Sequence, residues 1–128
     1  MRDPILDFTP ELAQLALDSG ELNLVEQLQQ ALADGTANVG ICVGGTLAII
    51  QPQKDNTLFI WAGVSRESGV IVRYQETFEM VARKTGFHRI RFKTKRKGLR
   101  KLAPKLGYTE TRLDSDGFFV FEKVISHG

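Results

Sequence analysis

The chain has 128 residues, a formal net charge of +2, 42% hydrophobic and 25% charged residues, 12 Gly, 4 Pro and one Cys. That length supports one core and is short for two ordinary domains, so residues 1–128 read as a single domain. The composition excludes a wholly disordered or a fibrous chain, and no apolar run approaches membrane-spanning length, which argues against a membrane partner.

One thiol, Cys42, cannot close an intramolecular disulfide, and with only His88 and His127 beside it the chain cannot furnish a structural zinc site. Between Ile41 and Val43, Cys42 is expected to be a small buried hydrophobe. The start Met-Arg-Asp-Pro lacks the cationic stretch and apolar run of a secretory signal, so a reducing cytoplasm is the expected location.

The small net charge hides segregation. Residues 1–34 carry Asp3, Asp7, Glu11, Asp18, Glu21, Glu26 and Asp34 against Arg2 alone, a balance of minus six. Residues 83–105 carry eleven bases and no acid. Such a block implies a solvated face, a partner bearing phosphates or carboxylates, or pairing with the chain's own acidic segment.

In chain order, Thr9-Pro10-Glu11 reads as a helix start with the threonine hydroxyl as cap, and Leu12, Leu15 and Ala16 share a face until Ser19-Gly20. Leu24, Val25, Leu28, Ala31 and Leu32 mark a second amphipathic helix, stopped by Asp34-Gly35. From Ala37 the pattern becomes β: Val39–Val43, a Gly44-Gly45 turn and Thr46–Gln51 form a hairpin. Thr57–Val64 is a nearly continuous apolar strand, expected to be buried on both faces.

Residues 65–69 form a short polar loop before a helix over 70–85, whose apolar positions are Val70, Ile71, Tyr74, Phe78, Val81 and Ala82. The strand Phe87–Lys95 then alternates, with His88, Ile90, Phe92 and Thr94 on one face and Arg89, Arg91, Lys93 and Lys95 on the other. Leu99, Leu102, Ala103 and Leu106 give a short helix that Pro104 bends or ends early. Tyr108–Leu113 and Phe118–Ile125 close the chain as a hairpin around Asp114-Ser115-Asp116-Gly117.

The strand, loop and helix over 57–85 form a unit suited to an anion, because main-chain N–H groups at a helix start carry partial positive charge. Arg66, Gly69, Ala82 and Gly86 fall at the spacing of the loop signature of the GNAT acyltransferases, and Lys105-Leu106-Gly107-Tyr108 resembles that family's downstream pattern. The resemblance covers residues 37–125. It implies an α/β (α+β) fold with a central mixed, mostly antiparallel sheet flanked by helices, with the family's first strand short or missing, since Ile5–Phe8 is a poor substitute for it. Small members of this kind are familiar among phage and prophage genes.

The resemblance implies acetyl-coenzyme A as cofactor and an unknown amine as acceptor. Arg66 and the main chain of Ser68, Gly69, Val70 and Ile71 would hold the pyrophosphate; Arg96, Lys97 and Arg100 would reach the adenosine phosphate. The amide at the end of the strand, at Val64, would polarise the thioester oxygen, with the cofactor lying across splayed ends of strands 57–64 and 87–95.

Several positions depart from the family. Ile71 stands where a second small residue is usual, Arg96 where asparagine is frequent, and Ala103 where a tyrosine acid is frequent. No acid lies within Thr57–Val64. The remaining candidates are Glu67 as carboxylate, His88 as imidazole and Tyr108 as phenol. A second hypothesis is a catalytically inactive protein of the same fold that binds nucleic acid or protein through residues 83–105. A third is an inert scaffold whose basic strand packs near the acidic helices, within the chain or in a homodimer.

Overall fold

The computed structural model describes residues 4–43, 45–66, 70–114 and 116–125, without the side chains of residues 70–72. The elements are α1 (Pro4–Asp7), α2 (Thr9–Ser19), α3 (Leu24–Asp34), β1 (Asn38–Val43), β2 (Thr46–Gln53), β3 (Thr57–Ser65), α4 (Val70–Lys84), β4 (Arg89–Thr94), α5 (Lys97–Leu102), a 3-10 turn (Ala103–Leu106), β5 (Thr109–Leu113) and β6 (Phe119–Val124). The six strands lie in the order β1-β2-β3-β4-β6-β5. Strands β3 and β4 run parallel, with Thr57–Ile60 against Arg89–Phe92. The pairs β1/β2, β4/β6 and β5/β6 are antiparallel.

By its internal contacts the chain divides into two compact units, Met1–Gln51 with Trp61–Val70, and Pro52–Ile60 with Ile71–Gly128. In the first, α1, α2 and α3 bury Ile5, Leu12 and Leu28 against Leu47, Ile49 and Ala62 of β2 and β3, with Trp61 and Val64 packed alongside. Each fully buried leucine or isoleucine contributes about 1.5–3 kcal/mol. Gly20 and Gly35 end α2 and α3 at φ of 75° and 77°, and their N–H groups bond carbonyls of the last turn.

Residues Pro4–Asp7 form a helix rather than a strand, so among the described residues the sheet begins at Asn38. This changes the role of Thr9. Phe8 occupies the cap position of α2, and the Thr9 hydroxyl instead donates to Ile5 O (3.1 Å) and Leu6 O (3.2 Å), because α1 presents carbonyls within its reach. Cys42 is also corrected, for it is exposed. Strand β1 is an edge strand with an irregularity between Val39 and Ile41, and of its six residues only Ile41 is buried.

In the second unit, Phe92 of β4 stacks on Phe121 of β6 at 5.3 Å between ring centroids, and Tyr108 meets Phe92 edge-on at 4.9 Å. Pro104 acts as expected: α5 stops at Leu102, the chain tightens into the 3-10 turn, and Gly107 closes it at φ 93°. No helix among the described residues is long and apolar enough to cross a membrane.

Candidate functional site

Strand β3 ends at Ser65 and the next element, α4, begins at Val70. Gly63, near that end of β3, is exposed, and a side chain there would meet nothing within 4 Å. Val64 is half-buried against the core of the first unit. The Thr46 and Ser65 hydroxyls share a hydrogen bond of 2.8 Å. Helix α4 has no acid in its first turn and Arg83 and Lys84 in its last, and the basic last turn is the placement a helix dipole favours. Glu67, Ser68 and Gly69 lie outside the described residues, as do the side chains of Val70 and Ile71.

Arg66 is heavily engaged. Its Nε donates to Glu11 Oε1 at 2.8 Å, its Nη2 donates to the carbonyl of Asp7, and its guanidinium lies 4.4 Å from the centre of the Phe8 ring. Its main-chain N–H bonds Gly45 O at 2.9 Å. The arginine bond holds the Glu11 carboxyl below its usual range, and the same bond raises the Arg66 pKa. Sequence reasoning passed over Glu11 and Phe8 as site residues. The available signal was a lone arginine after an apolar strand in a chain whose front end is acidic.

His88 is exposed, its N–H bonded to Asn56 O at 2.9 Å beside the start of β3, whereas the loop follows the end of that strand. Tyr108 is buried and donates to Gln75 Oε1 at 3.1 Å; burial pushes its phenol up to about 12. Ala103 is fully buried. Arg96 caps α5 and its N–H bonds Thr94 Oγ1 at 3.0 Å, while Lys97 is exposed. Arg100 grips Glu110 through two bonds of 2.7 and 3.1 Å and lies 3.9 Å from the Phe119 ring centre.

The cationic face of β4 exists, but its charge is answered nearby. Arg91 donates to Asp55 Oδ2 (2.8 Å), Glu122 Oε1 (2.6 Å) and Gln53 Oε1, and Arg89 pairs with Asp55 at 3.5 Å. Burial opposes the Arg91 charge, yet the bonds to Asp55 and Glu122 outweigh it and its pKa is raised. Lys93 and Lys95 lie over the Phe118 ring at 4.4 and 4.6 Å. Among the described residues, Arg89 and Arg91 pair with Asp55, Arg91 also with Glu122, and Arg66 pairs with Glu11 of the acidic segment.

A mixed sheet in which β3 and β4 run parallel, with α4 as the next element after β3, is the fold of the GNAT acetyltransferases. GCN5 of Tetrahymena superposes with a TM-score of 0.72 at 11% identity, covering 97% of this chain and 88% of that one. An acetyltransferase of the GNAT family from Listeria monocytogenes gives 0.65 at 15% identity, over 96% and 86%. PaiA N-acetyltransferase from Thermoplasma acidophilum, solved in complex with coenzyme A, gives 0.61 at 11% identity, over 88% and 76%. The match to nourseothricin acetyltransferase, with a TM-score of 0.56 at 14% identity, covers 64% of this chain and 58% of that one, under two-thirds of its length. No family model and no curated protein matches the sequence.

Proposed function

We propose that this protein is an N-acyltransferase that moves an acetyl group from acetyl-coenzyme A to an amine. The observation that carries the reading is the passage from β3 into the fifteen-residue α4, in a chain with this fold. The exposed Gly63 and the acid-free first turn of α4 suit a ligand with an extended thiol arm and a diphosphate. Acetyl-coenzyme A would supply an activated thioester and a thiolate leaving group.

The chain's own part is to bind, polarise and move a proton. The main-chain N–H groups of Ser68, Gly69, Val70 and Ile71, with Arg66, would hold the diphosphate, and Arg96, Lys97 and Arg100 the adenosine phosphate. Lys97 is the most available of those three, since Arg100 already grips Glu110. The Val64 amide would polarise the thioester oxygen as the amine attacks. Of Glu67, His88 and Tyr108, Glu67 is favoured as acceptor of the amine proton, directly or through water. His88 stands beside the start of β3, and a buried phenol raised to about 12 is a weak acid.

Calorimetric titration of the full chain with acetyl-coenzyme A tests the reading; heat of binding is expected, and none at millimolar ligand overturns it. The runner-up, an inactive protein of the same fold acting as a binding module, is favoured by the buried Ala103 where the family has its tyrosine. It predicts binding without acetyl transfer to any amine in a panel of polyamines, aminoglycosides and lysine peptides.

A further inference from the structure

Two arginines of this chain hold carboxylates in different ways. Arg100 meets both oxygens of Glu110, at 2.7 and 3.1 Å, a two-bond grip that is strong and geometrically fixed. Arg66 meets Glu11 through Oε1, and Glu11 Oε2 is buried without a hydrogen-bond partner. A half-satisfied carboxylate of this kind keeps a free-energy deficit that a better arrangement would relieve. Its arginine is half exposed and directly precedes residues 67–69 in the chain.

We propose that Glu11 is an internal competitor for the anion that Arg66 serves. This rests on the acyl-coenzyme A reading, in which Arg66 contributes to holding a diphosphate. A diphosphate has several oxygens in the spacing of a guanidinium fork and more negative charge than a carboxylate, so it can replace the single Glu11 bond with two. Until that exchange, the Glu11 carboxylate both cancels the Arg66 charge and repels an incoming anion. Phe8 and the Asp7 carbonyl keep the guanidinium in place, so that the exchange needs a turn of the fork rather than a search by a free side chain. The arrangement lowers affinity for small or singly charged anions more than for a diphosphate, and so makes the N-terminal helices a selector for the ligand.

The test is calorimetric titration of the full chain with coenzyme A and, separately, with inorganic pyrophosphate, at one fixed salt concentration. Glu11→Gln is expected to bind both about three- to fivefold more tightly than wild type, the scale of one exposed ion pair. Glu26→Gln, which changes net charge equally but lies on α3, is expected to bind as wild type. In an Arg66→Ala background, Glu11→Gln should bring no gain. Unchanged or weaker binding by a folded Glu11→Gln overturns the proposal, and so does an equal gain in the Arg66→Ala background.

The Arg66 Nε–H resonance of the wild-type protein gives a readout that needs no substitution. It should shift as coenzyme A is added, and binding without a shift overturns the exchange. If neither wild type nor Glu11→Gln binds coenzyme A, the acyl-coenzyme A reading falls, while the pyrophosphate titration still decides the role of Glu11. No binding of either probe overturns both.

Discussion

The phenol of Tyr108 donates to Gln75 Oε1 over 3.1 Å, and this buried bond ties the residue after Gly107 to the middle of α4. It joins two elements that bracket β4, and it uses the hydroxyl that would otherwise be the nearest phenol for proton transfer.

Removing that hydroxyl strands a buried acceptor. Tyr108→Phe should lower stability at neutral pH by about 1–2 kcal/mol, read from urea unfolding. The pH dependence has a definite sign. The folded phenol is raised to about 12, above the unfolded value near 10, so the folded state keeps its proton longer. Its contribution is complete below about pH 10 and is lost as pH rises towards about 12. Wild type should therefore lose more stability than Tyr108→Phe between those limits, and equal losses would contradict the buried placement.

Gly107 and Gly35 both have positive φ, 93° and 77°, but their surroundings differ. A Cβ at Gly35 would meet nothing within 4 Å, whereas one at Gly107 would lie 3.0 Å from Lys123 Cε and Nζ. That lysine is pinned, donating to Leu106 O at 2.8 Å and pairing with Glu79 at 3.3 Å. Gly35→Ala should cost about 1 kcal/mol, the backbone penalty alone. Gly107→Ala should cost roughly twice that through added crowding. Equal midpoints in urea would mean that Lys123 moves aside freely.

The basic block should behave as fewer charges than its composition states. Retention on heparin counts accessible cations, and Arg91 is committed to Asp55 and Glu122. Arg91→Gln should therefore leave the eluting salt concentration nearly unchanged. The pair Lys97→Gln and Lys101→Gln, both exposed, should lower it clearly. The reverse order would restore the strand face as a polyanion surface.

Cys42 lies exposed on an edge strand. A disulfide reagent should titrate its thiol in the folded protein without denaturant, at a rate that urea increases little. Labelling that requires unfolding would return Cys42 to the core.

Most element boundaries were legible because their signals are local. Gly20, Gly35, Gly86 and Gly107 stop helices through a conformation that a single glycine adopts cheaply, and the alternation of Ile90, Phe92 and Thr94 with Arg89, Arg91 and Lys93 needs only six residues to declare a strand. Thr9 and Cys42 depart from their local signals for a shared reason. A threonine before Pro10 is a good cap only if no earlier helix offers its carbonyls, and a cysteine between Ile41 and Val43 is buried only if its strand is interior; α1 and the edge position of β1 decide these matters from outside the window.

Apart from the short α1, the sequence by itself determined the order of helices and strands, and with it the uneven distribution of charge. Periodicity, turn residues and composition are written within short stretches of chain. Only the tertiary structure decided where each charge is spent. Arg66 finds Glu11 across 55 positions, and Arg91 finds Asp55 and Glu122 across 36 and 31. A guanidinium pairs with whichever carboxylate folding brings within about 3 Å, and separation in sequence places no limit on that choice. Arg66, which pairs with Glu11, is where the acidic front of this chain meets the candidate site.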